Sequence, residues 1–233
     1  MPNLNTYPLS ACLFDLDGGL IDSEPLHSQA WQETTNFFGS KLSASQLELL
    51  RGRKRIDCAK LISKWMAKKV HYAEILKIHQ PISKSLLSNA KSMSGAQEVI
   101  DWCISRKIET ALVTSSSKSA VKNKCANKGW MNSLKIKIYG DDERIKDGKP
   151  NPDPYLYALR KLNIESSKTY VIEDSISGAQ SGLAAGCTVW VLMQSNINLI
   201  NKFNKLKENH PNKLFLINCL NEFHEHLLEV FDD

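Results

Sequence analysis

No Cys-x-x-Cys pair, no Asn-x-Ser/Thr glycosylation site and no long apolar run occur in this chain of 233 residues. The missing run excludes a conventional membrane helix, which needs roughly 18 consecutive apolar residues. The six cysteines, at 12, 58, 103, 125, 187 and 219, are scattered, and several fall inside apolar segments. That usage reads as reduced core thiols rather than a disulfide framework or a zinc site. The opening Met1-Pro2-Asn3-Leu4-Asn5-Thr6-Tyr7 has neither the basic nor the apolar region of a secretory leader, so a cytoplasmic location is expected. A Gly-x-x-x-x-Gly-Lys-Ser/Thr loop is missing too, which disfavours a P-loop nucleotide enzyme. Neither sign of charge dominates: 30 Lys and Arg against 25 Asp and Glu leave +5, which suits anionic ligands without requiring nucleic acid. What remains, 42% hydrophobic and 24% charged, is the composition of an ordinary globular protein.

The length fits a core that carries one smaller inserted domain. Apolar, β-rich runs predict strands at Ala11–Asp15, Thr110–Thr114, Ile136–Tyr139, Thr169–Ile172, Thr188–Leu192 and Leu214–Ile217. Helical periodicity separates most of them, the pattern of a parallel α/β sheet. Ser94-Gly95-Ala96-Gln97 reads as a capping box before a helix with Val99, Ile100, Cys103 and Ile104 on one face. Asn151-Pro152 opens a helix with Tyr155, Ala158, Leu159 and Leu162 inward, and Ile176–Ala185 forms another, stopped by Gly186. The Asn- and Lys-rich stretch Asn196–Asn212 reads as a surface connection. His224 and His226, two apart on a terminal helix, point away from each other and read as surface residues rather than metal ligands.

Residues 22–92 break this rhythm and show helices only. Leu26, Ala30, Trp31, Thr34, Phe37 and Phe38 keep helical spacing up to Gly39. A Ser43–Gln46 capping box follows, stapled by Leu42 and Leu47. Cys58, Leu61, Ile62, Trp65 and Met66 form a narrow apolar stripe, and Pro81 should end or kink a fourth helix. Such a block is too long for a crossover connection. The reading is an α/β core of residues 1–21 and 93–233 with an inserted α-helical cap, 22–92. The cap lies above the C-terminal end of the first strand, where open α/β sheets bind ligands.

At that strand end stands Asp15-Leu16-Asp17-Gly18-Gly19. Side chains two apart on extended backbone point the same way, so both carboxylates can face one reacting centre. Their repulsion calls for a cation or a shared proton, although Asp-Gly alone also suits a solvated turn. Three further strand ends are polar: Thr114-Ser115-Ser116, Gly148-Lys149-Pro150-Asn151-Pro152-Asp153 and Glu173-Asp174-Ser175. Hydroxyls and a pinned lysine can hold phosphate oxygens, and the paired carboxylates can hold a metal. Singly, each motif also fits a helix cap or a solvated side chain; four in order on successive strand ends point to one site. Together they resemble the haloacid dehalogenase-like superfamily, in the subfamily with an α-helical cap after the first strand. That group includes phosphoglycolate phosphatases, sugar-phosphate phosphatases and β-phosphoglucomutases. The resemblance covers nearly the whole chain and implies a Rossmann-like parallel-sheet core. One departure is Gly19, where threonine is common.

The resemblance implies Asp15 as nucleophile, forming an aspartyl-phosphate, and Asp17 as general acid/base. It implies Thr114 and Lys149 as holders of the phosphoryl oxygens, with Ser115 and Ser116 beside them. Mg²⁺ would be held by Asp15, the Asp17 backbone carbonyl and Asp174. Glu173 would either orient Lys149 or reach the metal through water. Asp17 disfavours dehalogenases and phosphonatases, which lack this second aspartate. The implied substrate is a small phosphorylated metabolite, a sugar phosphate or phosphoglycolate, with a β-phosphoglucomutase-like phosphotransferase as the alternative. His27 and Trp31 align with cap-entry positions of the mutases, and Arg51–Arg55 falls on their substrate loop. Arg55 matches the arginine that holds the non-reacting phosphate, so His27 and Arg55 are the cap's candidate substrate-binding residues. A further mutase lysine has no counterpart near Ile82. The bland alternatives are core packing for Trp31, helix capping for His27 and a solvated face for Arg51–Arg55. A third reading is a nucleic-acid-binding protein using Arg51–Lys69 with an idle site. No nucleic-acid or membrane partner is expected, and the chain should be a monomer or dimer.

Overall fold

The computed structural model describes residues 9–51, 53–193 and 197–231. The elements open with β1 (Ala11–Phe14), β2 (Ile21–Asp22), α1 (Glu24–Phe37), α2 (Ala44–Leu50), α3 (Arg55–Trp65), α4 (Tyr72–Leu87) and β3 (Lys91–Ser92). They continue with α5 (Ala96–Ser105), β4 (Glu109–Val113), α6 (Lys118–Lys124), β5 (Ile136–Ile138), α7 (Asp153–Leu162) and β6 (Thr169–Glu173). Last come α8 (Ile176–Ala184), β7 (Thr188–Leu192), α9 (Ile197–Asn209), β8 (Leu214–Ile217) and α10 (Leu220–Phe231).

Six strands form one parallel sheet in the order β5-β4-β1-β6-β7-β8. β1 is buried at every residue, as a central strand covered on both faces must be. Alternation divides the sheet's side chains between two cores. Cys12, Phe14, Leu112 and Ile172 pack with α5 and α10, whereas Leu13, Ala111, Val113 and Val171 pack with α7, α8 and α9. In register, Phe14 lies opposite both Leu112 and Ile172. The loops that follow β1, β4 and β6 therefore open on one edge. Above that edge α1–α4 enclose a third core of Trp31, Leu42, Leu50, Cys58, Ile62 and Ile75.

Several local expectations are corrected. The block read as purely helical closes on a short antiparallel ribbon, with Ile21 opposite Ser92 and Asp22 opposite Lys91. At α5 the N-cap is Gly95, at φ +83°, and no side chain caps the helix. The box at Ser94 is one residue out of phase, and Gln97 bonds Asp101 instead. Trp102 takes the inward place expected for Ile104, which is exposed. Pro81 does not end α4, because it sits on the solvent side, where water can satisfy the carbonyl it leaves unbonded. Phe37, expected on the inward stripe, is 67% exposed, while Phe38 packs against the cap core. Most of Asn196–Asn212 is α9, seated through the buried pair Leu199 and Phe203, an i, i+4 signal diluted by Asn and Lys; Asn196 itself lies outside the described residues. His224 and His226 are half-buried against Trp102 and Trp190 rather than on the open surface.

Candidate active site

The end of β1 sets the site. Asp15 N–H still donates to the Ile172 carbonyl at 3.0 Å, and the chain then turns back, with Leu20 and Ile21 N–H both on the Leu16 carbonyl. At Gly19 a Cβ would lie 2.6 Å from the Asp15 carbonyl oxygen. The threonine common at this position does not fit so tight a turn, which accounts for the glycine.

Asp15 is buried and accepts from Lys149 Nζ at 2.6 Å. The same ammonium donates to Glu173 Oε1 at 2.6 Å and to the Val113 carbonyl at 2.9 Å, which uses all three of its protons. Tyr155 adds a hydroxyl to Glu173 Oε1 at 2.7 Å, and Ser175 adds one to Oε2 at 3.1 Å. Glu173 is thus saturated with donors that aim it at Lys149. One oxygen each from Asp15, Glu173 and Asp174 lie within 4.8 Å of one another. Burial pushes the Asp15 carboxyl well up, against Lys149 and with help from Glu173, Asp174 and Asp17. Burial likewise raises Asp174 to about 6, although Arg51 opposes it. Buried, mutually repelling oxygen donors of this kind fit a hard divalent cation such as Mg²⁺.

Asp17 lies among different partners. Lys124 Nζ bonds both of its oxygens, at 2.6 Å to Oδ2, and Ser116 Oγ donates to Oδ2 at 2.7 Å. The Ser23 hydroxyl and His27 Nε2, the latter at 3.0 Å, meet Oδ1. Burial disfavours the charge here too, but Lys124 and His27 outweigh it and hold the carboxyl well below the usual range. His27 therefore serves Asp17 rather than capping α1, whose N-cap is Ser23.

Asp15, Asp17, His27, Arg55, Thr114, Ser115 and Ser116 all line one cavity of about 400 Å³ between core and cap. Lys149 sits behind Asp15, and Thr114 Oγ1 accepts the Ser116 N–H at 3.0 Å. Burial lowers the Arg55 pKa, with Asp17 opposing. Trp31 is core, stacked on His79 with ring centroids 3.5 Å apart. The basic run is no solvated face: Arg53, Lys54 and Arg55 line the cavity, and Arg51 reaches Glu24 at 3.2 Å and bonds Asp174.

Lys124, Glu24, Tyr155 and His79 were not legible as site residues, and neither was the reach of Arg51 to Asp174. Lys124 left one trace, a lysine three positions after Val121 on the inward face of a short helix. Arg51 and Asp174 are 123 positions apart, and no local pattern announces such a pair.

The model of haloacid dehalogenase-like hydrolases matches residues 12–192. Among similar proteins is a phosphorylated carbohydrates phosphatase of Thermotoga maritima, 26% identical over 76% of this chain and 82% of its own. Hexitol phosphatase A of Escherichia coli is 29% identical over 76% and 80%. Among solved structures, a hydrolase of the same family from Entamoeba histolytica superposes with TM-score 0.77 at 26% identity, covering 96% of this chain and 100% of its own. A β-phosphoglucomutase from Clostridium difficile gives 0.78 at 21% identity over 96% and 97%, a likeness of fold. With the family's matched span running from β1 to β7 and the site assembled on those strands' ends, this chain belongs to the haloacid dehalogenase-like hydrolases.

Proposed function

We propose that this protein is a Mg²⁺-dependent phosphatase of a small phosphomonoester, a sugar phosphate or phosphoglycolate-like metabolite. The observation that carries the reading is the pairing of Asp15 with Lys149 beneath a cavity that Asp17 and Thr114 also line. An Asp15 oxygen attacks phosphorus and the bond to the leaving oxygen breaks, giving an aspartyl-phosphate. Asp17, anionic at rest beside Lys124, takes up the proton of a substrate monoanion and passes it to the leaving alkoxide, then takes one from the water that hydrolyses the acyl phosphate. Lys149 and Thr114 hold the phosphoryl oxygens, and Glu173 keeps Lys149 in place. Held by Asp15, Asp174 and the Asp17 backbone carbonyl, Mg²⁺ would relieve the repulsion between anionic nucleophile and anionic phosphate. Arg53, Lys54 and Arg55 in the cavity wall favour substrates with a second anionic group, and the same feature supports a phosphotransferase as the second reading. A cytoplasmic enzyme is proposed, monomeric or dimeric, with no nucleic-acid partner; no helix among the described residues is long and apolar enough to cross a membrane.

The test is phosphate release from a panel of phosphorylated metabolites, with Mg²⁺ and with EDTA. Release that EDTA abolishes and Mg²⁺ restores is the expected result. Isomerised sugar phosphate without free phosphate would turn the assignment to the transferase, and metal-independent release would overturn it.

A further inference from the structure

Two lysines are buried among the described residues, and each meets one carboxylate of the Asp15-Leu16-Asp17 pair. Lys149 is accounted for by the reaction above; Lys124 is not. It is the last residue of α6, with a side chain 1% exposed. Its Nζ meets both oxygens of Asp17 and lies 2.9 Å from Ser116 Oγ. Three acceptors match the three protons of an ammonium. An apolar side chain on this inward helix position would avoid the cost of desolvating a charge. What an apolar side chain cannot do is fix the plane of a carboxylate by gripping both of its oxygens. The grip also comes from a particular direction. α6 is capped by Ser117, directly after the hydroxyl loop Thr114–Ser116, so one short segment supplies phosphate-side hydroxyls before its start and the Asp17 clamp at its end.

We propose that Lys124 is the positioning residue for Asp17, aiming its carboxyl group at the leaving-group oxygen with Ser116 as the second support. The inference rests on Asp17 as the acid/base. No bond to phosphate is assigned to Lys124, so its loss should act on proton transfer and not on substrate binding. The size of the effect should then follow the need of the leaving group for a proton. An alkoxide needs one; p-nitrophenolate leaves without.

The experiment compares p-nitrophenyl phosphate with the best alkyl phosphate from a panel of sugar, polyol and glycolate phosphates. The quantity read is kcat/KM, which reports transfer to Asp15 ahead of hydrolysis of the acyl phosphate. Lys124→Met should raise the aryl-to-alkyl ratio of kcat/KM by about 30- to 300-fold, a part of the roughly 10²–10⁴-fold that general acid–base catalysis supplies. KM for the alkyl substrate should stay within about threefold, the part of the split that marks lost proton transfer rather than lost binding. Both substrates are assayed on one preparation, so the ratio is independent of the fraction that folds. Lys124→Gln, which keeps a donor and drops the charge, gives the same reading with a milder core change. Added to Asp17→Asn, Lys124→Met should change the ratio no further, because the group it positions is already gone. Equal losses on both substrates, or an additional ratio change in the double variant, would reduce Lys124 to a packing role and overturn the inference. Wild-type protein that hydrolyses neither substrate would overturn the phosphatase reading and this inference with it; wild-type turnover with an unmoved ratio overturns the inference alone.

Discussion

Asp15 and Asp17 are two residues apart yet lie in opposite electrostatic surroundings. Burial dominates at Asp15 and pushes it up, whereas Lys124 and His27 prevail over burial at Asp17. The division of labour assigned to them predicts different failures. Asp15→Asn should leave no turnover in a chain that still melts cooperatively. Asp17→Asn keeps the nucleophile but loses water activation, so with p-nitrophenyl phosphate the acyl phosphate on Asp15 should accumulate. Mass spectrometry after an acid quench reads it directly; equal loss of both steps with no adduct would remove Asp17 from the role. At this scale the motif residues were legible because strand ends and short spacings are local. Their partners were not: Tyr155 was read only as an inward apolar face, and its hydroxyl on Glu173 depends on β6 lying beside it.

Helices show the same limit from the other side. The Ser43–Gln46 box forms as read, since both partners lie within one turn. α9 is hidden by its composition, and Pro81 leaves α4 unbroken because it faces solvent, a side that the sequence does not mark. Pro81→Ala should restore the missing backbone donor and raise stability by about 1–3 kcal/mol, measured as a higher urea midpoint at unchanged slope. α4 also brings His79 against α1. The Thr34 hydroxyl donates to the Ala30 carbonyl at 2.7 Å, so at 3.1 Å it accepts from His79 Nδ1, which carries the hydrogen. Burial, helped by Arg55 and His27, drives the His79 pKa down to about 3. An unfolded histidine titrates near 6.5, so between those values the unfolded chain holds the extra proton. This contribution is therefore complete above about pH 6.5 and is lost as pH falls towards 3. Wild type should lose about 1 kcal/mol more than His79→Gln between pH 7.0 and 5.5 in urea unfolding.

For the molecule as a whole, the order of apolar runs specified a parallel sheet, and the long helical interruption reads as a roof over its ligand edge. Neither specified how roof and sheet are tied. The tie includes Arg51, which runs from the end of α2 to Asp174 in the core, and the ribbon β2–β3. That ribbon makes the inserted segment leave and re-enter the sheet domain at adjacent points. Topologically the helices are a side branch, and β1 and β4 become near neighbours along the path that bypasses it. Pairing those strands then need not carry the closure entropy of a long open loop once the ribbon has formed. The branch point is also a place to cut. Asp22 and Lys91 face each other in antiparallel register, the geometry a two-residue Asn-Gly turn closes. A chain joined there should keep a cooperative melt and the Asp15–Lys149–Glu173 cluster. It should also retain measurable turnover of p-nitrophenyl phosphate while losing much of its discrimination among metabolites, because Arg53, Lys54 and Arg55 leave the cavity with the branch.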